Sequence, residues 1–421
     1  MANEWNLKPL EEVADVVMGY SPKGETYNDE GEGTPLLNGP TEFGPHSPRV
    51  TLFTTEPSRF SEPGDILFCV RGSTTGRMNW ADKKYAVGRG IAAIRAKTSG
   101  EDTYFIYCCI RESMQRLLSF TSGSVFPNLS TDDINGFEIL WPDKAIRGSI
   151  VHILRTLDDK IGLNRRMNRT LEKMAAALFK SWFIDFDPVR AKAEGRDTGL
   201  PQDIADLFPD EFEDSELGKI PEGWVPGSLG DVADSPRRGV KPSEVPPTTP
   251  YIGLEHMPRR RIALDAWGQA DEVASGKSRF KEGEILFGKL RPYFHKVGIA
   301  PVDGVCSTDI VVVAPKADCW RSYIVSLVSS KAFVDYTDAR SAGTKMPRTS
   351  WKDMSRYPLA LPPEGIARTF QDYVAPLHRR VGQGVRQNRR LAGLRDALLP
   401  HLLSGELEVP TVVDQAEDGA R

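Results

Sequence analysis

The sequence predicts an α+β protein built as a tandem duplication, in which two mixed α/β modules alternate with two long helices that pair with each other. Short sequence blocks recur half a chain apart, as in Gly-Asp-Ile-Leu-Phe at Gly64 and Gly-Glu-Ile-Leu-Phe at Gly283. Each copy also has the same order of parts, namely strand-like runs between turn residues and then one long helix with an apolar stripe. Repetition of this kind indicates that one structural unit occurs twice.

The matching blocks keep register over most of the chain. The offset is 219 residues at the start of each copy and 220 in the long helices, so one residue is gained between them. The matched positions include Trp5 and Trp224, Leu10 and Leu229, Val13 and Val232, Ile91 and Ile310, Pro127 and Pro347, Asn168 and Asn388, and Leu178 and Leu398. Because chance matches would not hold register across so many blocks, the chain is predicted to be a duplication.

The first module is predicted to span residues 1–145 and the second residues 221–365. Gly, Pro, Asn and Asp residues separate short apolar runs in both modules, which is typical of strands joined by turns. The clearest runs of the first module are Asp65–Val70, Gly90–Ala96 and Phe137–Pro142. Each module also contains one predicted helix, at Thr103–Phe120 and at Trp320–Tyr336.

A long helix closes each copy, over residues 146–185 in the first and 366–406 in the second. Apolar residues recur there at spacings of three or four, or sums of these, which places them in one stripe. The first stripe is Ile150, Ile153, Leu157, Ile161, Leu171, Met174 and Leu178. The second is Phe370, Tyr373, Leu377, Val381, Val385, Leu391, Leu394 and Leu398. Asn164 and Asn168 interrupt the first stripe, and Asn388 interrupts the second.

A helix this long with a single apolar stripe needs a partner in water, and the other copy supplies one. A buried polar residue in such a contact fixes its register, so the asparagines are predicted to lie between the helices. The predicted helix-pairing residues are Ile153, Leu157, Ile161, Asn168, Leu171, Leu178, Leu377, Val381, Asn388, Leu391 and Leu398. The alternative is that each helix packs only on its own module.

Two segments are predicted to lie outside the modules and helices. Residues 186–220 begin basic and become acidic, which is typical of a solvated linker. Residues 407–421 are predicted to form a frayed tail.

Composition excludes several classes of protein. Apolar residues make up 40% and charged residues 27% of the 421 residues, as in ordinary globular proteins. No apolar stretch approaches the ~20 residues that span a bilayer, and the N-terminus lacks a signal-peptide layout. The five cysteines never form CxxC, which favours the cytoplasm. With a net charge of −4, any nucleic-acid contact is expected to depend on local basic patches or on partners.

The sequence predicts no active site in this chain. Ser275-Gly-Lys-Ser resembles a phosphate loop, but that motif needs glycine where Asp271 stands. The six histidines form no HExxH or comparable ligand pair, so no metal site is predicted. No GxSxG occurs, and no glycine-rich loop joins a strand to a helix. The protein is therefore expected to recognise a ligand and to leave the chemistry to partners.

Basic, amide and aromatic side chains cluster after the repeated Gly-Asp/Glu-Ile-Leu-Phe block in both modules. Arginine forks can read guanine edges, and lysines neutralise phosphates, so these clusters are predicted to contact DNA. The predicted DNA-contacting residues are Arg71, Ser73, Thr74, Arg77, Asn79, Lys84 and Arg89 in the first module. In the second they are Lys289, Arg291, Tyr293, His295, Lys296, Lys345 and Arg348. Ordinary surface charges at strand ends are the alternative interpretation of each single residue.

The chain resembles the DNA-specificity subunits of Type I restriction–modification systems. The resemblance rests on the repeated order of EGW at Glu222, LGDVA at Leu229 and GEILF, and on TLDDKIGLNRRMNRTLEKMAAALFKSWFIDFDP and LLPHLLSGELEV in the helices. It covers nearly the whole chain. It implies two target-recognition domains that each read half of a split DNA site, and an antiparallel coiled coil that sets the spacer. It also implies two methyltransferase subunits that use S-adenosylmethionine, and restriction subunits that use ATP and Mg²⁺.

Two other functions stay open from the residues. One is a protein-interaction scaffold in which a coiled coil carries two binding domains and has no DNA role; it would show no salt-dependent DNA binding. The other is a self-contained nuclease or methyltransferase, which the missing cofactor loop and acid cluster disfavour.

Overall fold

The computed structural model describes residues 5–44, 46–120, 127–272, 275–343 and 345–410. The chain forms two compact units, one of Met1–Asp159 with Ala392–Arg421 and one of Lys160–Leu391. Each unit contains one α/β module and parts of both long helices. The predicted fold class, α+β with two mixed α/β modules and two long helices, is confirmed.

The first module consists of short strands and short helices. Its strands are β1 (Asn6–Pro9), β2 (Ala14–Met18), β3 (Tyr27–Asn28), β4 (Thr34–Leu37), β5 (Phe53–Thr54), β6 (Phe60–Ser61), β7 (Ile66–Cys69), β8 (Met78–Trp80), β9 (Tyr85–Val87), β10 (Ile91–Ala96) and β11 (Glu138–Trp141). Its helices are α1 (Leu10–Val13), α2 (Gly100–Glu112), α3 (Met114–Leu118) and α4 (Thr131–Asn135). The predicted helix Thr103–Phe120 is thus two helices, divided at Ser113.

Two sheets build this module, in the orders β2-β10-β7-β8 and β3-β5-β4-β9-β6, and β1 pairs with β11. The sequence of strand β7 is apolar throughout because both faces of the strand are buried. Ile66 and Phe68 pack in the larger core of the first unit, whereas Leu67 and Cys69 pack in a second core. Since successive side chains of a strand point to opposite faces, a strand covered on both faces has no polar alternation.

The first long helix, α5 (Lys144–Phe183), leads into the segment that the sequence predicted to be a solvated linker. That prediction is wrong, because the segment folds into α6 (Asp187–Ala193), α7 (Gln202–Ala205) and the antiparallel pair β12 (Phe212–Ser215) and β13 (Gly218–Pro221). Its apolar side chains belong to the core of the second unit: Val189, Ile204, Phe208 and Ile220 are all at most 4% exposed.

The second module repeats the first. Its strands are β14 (Val225–Ser228), β15 (Ala233–Asp234), β16 (Gly239–Val240), β17 (Pro250–Ile252), β18 (Gly268–Gln269), β19 (Lys277–Phe280), β20 (Ile285–Gly288), β21 (Val297–Ile299), β22 (Gly304–Cys306), β23 (Ile310–Pro315) and β24 (Pro358–Leu361). Its helices are α8 (Leu229–Val232), α9 (Arg321–Val328), α10 (Lys331–Ala339) and α11 (Trp351–Met354). The predicted helix Trp320–Tyr336 is observed as α9 and α10.

The sheet orders of the two modules correspond strand by strand. The order β15-β23-β20-β21 matches β2-β10-β7-β8, and β14 pairs with β24 as β1 does with β11. In the other sheet, β18-β17-β22-β19 matches β5-β4-β9-β6, with a parallel pair at its centre in both. The fifth strand differs, because β3 lies beside β5 in the first module whereas β16 lies beside β19 in the second.

The second long helix is α12 (Glu364–Ser404), and it runs antiparallel to α5 inside each unit. In the second unit, Phe179 and Trp182 of α5 lie against Phe370 of α12, with ring centroids 6.1 and 5.7 Å apart. In the first unit, the start of α5 and the end of α12 share one apolar core. Of the predicted tail, residues 411–421 lie outside the described residues.

A buried ion pair ties α2 to the start of α5 in the first unit. Asp102 is 4% and Arg147 6% exposed, and the guanidinium donates from Nε and Nη2 to both carboxylate oxygens, at 2.7 and 3.0 Å. Arg147 also donates to the Pro142 carbonyl at 2.6 Å and lies over the Trp141 ring. Burial alone would raise the pKa of Asp102, but the hydrogen bonds from Arg147 and Thr98 outweigh it and lower that pKa.

Candidate nucleic-acid interface

In the first module, three backbone hydrogen bonds gather loops around the end of β7. The Val70 N–H donates to the Gly90 carbonyl (2.9 Å), Leu129 to Val70 (3.0 Å) and Gly72 to Pro127 (3.1 Å). They bring the loop that carries Arg71 beside the β9–β10 turn and beside the segment before α4. We call the residues of this arrangement the first loop cluster.

The second module has the same arrangement at corresponding positions. The backbone N–H of Lys289 donates to the Asp309 carbonyl (2.9 Å), that of Thr349 to the Lys289 carbonyl (3.1 Å) and that of Arg291 to the Pro347 carbonyl (2.7 Å). An isolated β-bridge also occurs at the corresponding place in each module. Arg71 bridges to Asn128 in the first module, and Leu290 bridges to Arg348 in the second. We call this arrangement, with the loop that follows to His295, the second loop cluster.

Four predicted residues of the first module are exposed around its loop cluster: Arg71, Ser73, Thr74 and Arg89. Arg77 is also exposed, but its guanidinium donates to the carbonyls of Pro40 and Phe43, both at 3.2 Å. Lys84 forms a 2.9 Å ion pair with Glu62.

Asn79 differs from the prediction, because its amide belongs to the fold. The side chain is 5% exposed. Its Nδ2 donates to the Gly44 carbonyl at 2.7 Å, and its Oδ1 accepts from the Trp80 N–H at 2.9 Å. Both ends of the amide make hydrogen bonds within the fold, and burial keeps this side chain from the surface.

In the second module, Tyr293, Lys345 and Arg348 are exposed, and Lys289 and Arg291 are half-buried. Arg348 donates from Nε to Asp309 Oδ1 at 3.1 Å. The loop cluster of this module therefore presents an aromatic ring beside cationic groups.

His295 and Lys296 were predicted to contact DNA, but the structure turns both inward. His295 Nε2 lies 2.8 Å from the Ser329 carbonyl, and burial lowers the pKa of this imidazole. Lys296 donates from Nζ to the Leu254 carbonyl at 2.6 Å, and burial, with Arg259 nearby, lowers its pKa. Both side chains are half-buried, and their hydrogen bonds hold the loop.

Sequence reasoning missed Arg259, which lies over the Phe294 ring at 4.1 Å from the centroid. Three consecutive arginines at positions 259–261, in a segment rich in turns, were the available signal. They went unnoticed because they follow no repeated block. In the structure, the Arg260 N–H donates to the His295 carbonyl at 2.8 Å, which brings this segment to the second loop cluster.

Contacts from both long helices position the second module within its unit. Arg165 of α5 pairs with Asp265 at 3.4 Å. From α12, Arg386 pairs with Glu282 at 2.8 Å, and Arg389 lies over the Trp267 ring at 3.9 Å.

Glu172 of α5 makes a further contact with this module, because its Oε1 accepts the Ala263 N–H at 3.1 Å. Burial raises the pKa of Glu172 despite that hydrogen bond and the nearby arginines. Protonation is thus favoured in the folded state, and the resulting stability is present at low pH and lost as pH rises through the folded pKa.

Replacing Glu172 with Gln is therefore expected to raise the unfolding temperature of the second unit at pH 7–8. The amide keeps the oxygen that accepts from Ala263 but carries no buried charge. Thermal unfolding between pH 4 and 8 checks this, and the gain should shrink towards acid pH. A variant that is less stable at every pH would show that the charged carboxylate is required, and Glu406→Gln, on an exposed carboxylate, is the control.

Asparagines lie in the contact between α5 and α12 in the second unit. Asn164 Nδ2 donates to Asn388 Oδ1 and to Gln387 Oε1, both at 2.9 Å, and Asn168 Nδ2 donates to the Val381 carbonyl at 3.3 Å. Gly384, the counterpart of Asn164, faces Asn168 so closely that an added Cβ would lie 2.6 Å from its Oδ1.

The other predicted helix-pairing residues are buried or half-buried, namely Ile153, Leu157, Ile161, Leu171, Leu178, Leu377, Val381, Leu391 and Leu398. Three members of the predicted stripes are not, since Met174, Tyr373 and Leu394 are each nearly half exposed. Residues that repeat every 3.5 positions shift gradually around a helix with 3.6 residues per turn. Residues at the edge of a predicted stripe can therefore lie outside the contact between the helices.

Among the described residues, no group of His, Cys, Asp and Glu side chains could hold a metal ion. All five cysteines are buried. No helix within the described ranges is long and apolar enough to cross a membrane.

Residues 2–173 match the family model described as the Type I restriction modification DNA specificity domain. Over longer stretches the chain is 24% identical to two curated proteins. One is the Type I restriction enzyme HindI specificity subunit of Haemophilus influenzae, where the match covers 82% of this chain and 86% of the relative. The other is the MjaIX specificity subunit of Methanocaldococcus jannaschii, with 96% and 94% covered. This chain is therefore similar to Type I restriction specificity subunits over most of its length.

A solved structure has a similar fold. The crystal structure of the Type I restriction–modification S subunit from M. genitalium matches this chain with a TM-score of 0.55 and 16% sequence identity. The match covers 95% of this chain and 97% of the other. It therefore includes both modules and both long helices.

Proposed function

We propose that this chain is the DNA-specificity subunit of a Type I restriction–modification complex, and that each module reads one half of a split DNA sequence. The observation that supports this best is the repeated loop cluster. The backbone contacts are the same in both modules, whereas the side chains at corresponding positions differ, as with Arg71 and Leu290 or Asn128 and Arg348. Two loop clusters with the same backbone contacts but different side chains would be suited to read two different half-site sequences.

In this proposal the paired helices set the separation of the half-sites and dock two methyltransferase subunits. Half-sites read from one face of a duplex lie about one helical turn, ~34 Å, or a multiple of it apart. Methylation with S-adenosylmethionine and cleavage with ATP and Mg²⁺ belong to the partner subunits. This chain then acts in the cytoplasm without catalysis of its own. The relatives' names give no support to a scaffold without a DNA role.

The test is to map methylated adenines after co-expression with the methyltransferase subunit encoded beside it, in a host that lacks adenine methylation. A split motif, with two defined halves around an unspecified gap, is the expected result. A continuous motif would contradict the two-reader proposal. No modified motif, from an intact complex supplied with cofactor, would contradict the DNA-specificity role.

Replacing Arg71 with Ala is expected to weaken recognition of one half-site only. An arginine fork on a guanine edge supplies about 1–3 kcal/mol of discrimination, and Arg71 belongs to the first module alone. Sequencing of the modified motif, together with binding to duplexes altered in either half, measures the effect. Arg155→Ala, which removes an exposed arginine of α5, is the matched control. Equal loss for both halves would contradict the assignment of one half-site to each module.

A further inference from the structure

Arg291 of the second loop cluster has a backbone conformation that normally favours glycine. Its φ is 51°, and the corresponding residue of the first module, Gly72, has φ 87°. The two are equivalent because each N–H donates to the proline carbonyl at the corresponding place, Pro347 or Pro127. Glycine adopts this left-handed conformation freely, whereas the Cβ of an arginine makes it costly. Backbone strain of this kind is more frequent at functional sites than elsewhere, which makes the Arg291 side chain a candidate for a function.

The surrounding loop holds Arg291 rigidly. The Phe294 N–H donates to the Arg291 carbonyl at 2.9 Å, and the His295 N–H donates to the Pro292 carbonyl at 2.8 Å. His295 is also left-handed, with φ 52°, and it is fixed by Arg260 through its carbonyl and by Ser329 through its imidazole. These bonds tie the loop at both ends and so fix the backbone of Arg291 before any ligand binds.

The guanidinium of Arg291 is poorly used by the protein. Its one hydrogen bond within the described residues is a long one, 3.4 Å from Nη2 to the Lys345 carbonyl, and its buried Nε has no partner there. By contrast, Arg238 of the same module binds both oxygens of Glu284 at 2.8 and 2.9 Å. An arginine has five N–H donors, so most of those on Arg291 are left for a ligand.

An aromatic ring lies beside this guanidinium. Arg291 is 5.9 Å and Arg259 4.1 Å from the Phe294 centroid, and the exposed Tyr293 ring lies edge-on to Phe294. Two guanidinium groups therefore lie beside one ring, which concentrates positive charge next to the exposed loop. A planar fork with free donors matches the O6 and N7 acceptors of guanine in the major groove.

We propose that Arg291 reads a guanine in the half-site of the second module. In the first loop cluster the exposed Arg71 directly follows Val70, and its counterpart in the second cluster is Leu290. The second cluster has its arginine one position later, at Arg291. This displacement gives the two modules different sequence preferences without a change of fold. The inference rests on the proposed function, because it assigns one base contact within the DNA recognition proposed above.

The test is Arg291→Gly, which installs the residue of the first module, in the complex with the methyltransferase subunit. Modified motifs are mapped by sequencing, and discrimination is measured on duplexes altered at single positions. We expect one G·C position of one half-site to lose preference by roughly 5- to 150-fold, the range that a bidentate arginine–guanine contact supplies. The other half-site should be unchanged, and the unfolding temperature should stay the same or rise.

Two further variants make the result decisive. Arg279→Ala removes the same charge from an exposed arginine of β19, outside the second loop cluster, and it should leave the motif unchanged. Arg291→Lys keeps the positive charge but lacks the planar guanidinium, so it should weaken the preference for the same G·C position. A wild-type split motif that Arg291→Gly leaves intact overturns this inference alone. A wild-type complex without a split motif overturns the proposed function as well.

Discussion

Replacing Asp102 with Ala is expected to destabilise the first unit by about 3–5 kcal/mol, the cost of leaving one partner of a buried ion pair alone. Arg147 would keep its charge at 6% exposure with only the Pro142 carbonyl as a hydrogen-bond partner. Because this pair ties α2 to the start of α5, the loss should appear as a lower midpoint of urea unfolding.

Asp335→Ala is the matched control for that measurement. It removes a carboxylate paired with Lys331 on an exposed face, where ion pairs contribute about 0–1 kcal/mol. If the two variants unfold at the same urea concentration, the buried pair does not hold α2 to the helix. If Asp102→Ala alone shifts the midpoint, the ion pair is a main determinant of that contact.

Replacing Trp182 with Ala is expected to cost the second unit about 3–5 kcal/mol, as for other large aromatic side chains removed from a core. Trp182 is 2% exposed, and its ring lies 5.1 Å from Phe208 and 5.7 Å from Phe370. The variant therefore loosens three elements together, namely α5, α12 and the folded segment between α5 and the second module.

Met174→Ala in the same helix provides the comparison, since Met174 is 49% exposed and surface changes usually stay within about 0.5 kcal/mol. Proteolysis between residues 187 and 221 gives an independent readout. Faster cleavage there in Trp182→Ala would support packing of this segment on the helices. Equal cleavage with a large loss of stability would show that the segment does not depend on Trp182.

The long helices and the strand β7 could be predicted because their patterns are regular. An apolar stripe at helical spacing predicts a helix, and the short apolar run between Gly64 and Arg71 predicts a buried strand. The segment 186–220 could not, because Val189, Ile204 and Phe208 are scattered among charges without a period. Only the aromatic surface of α5 and α12, which exists after folding, gives these residues something to pack against.

For the candidate site, the sequence predicted where the loops lie but not which way their side chains point. Asn79, His295 and Lys296 turn inward because carbonyl groups of Gly44, Ser329 and Leu254 accept their hydrogen bonds. Those partners lie some 34 to 42 positions away along the chain, so no local pattern records them. The left-handed backbone of Arg291 could not be predicted either, because it goes with a hydrogen bond to Pro347, 56 positions away along the chain.

The contact between Asn168 and Gly384 bears on how the gene can change. Asn164 is the counterpart of Gly384. In a protein made of two first copies, an asparagine would replace Gly384, and its Cβ would lie too close to Asn168. The two helices are therefore complementary at this position and are not interchangeable there. Recombination that exchanges whole modules leaves this contact intact, whereas exchange of one helix for the other breaks it.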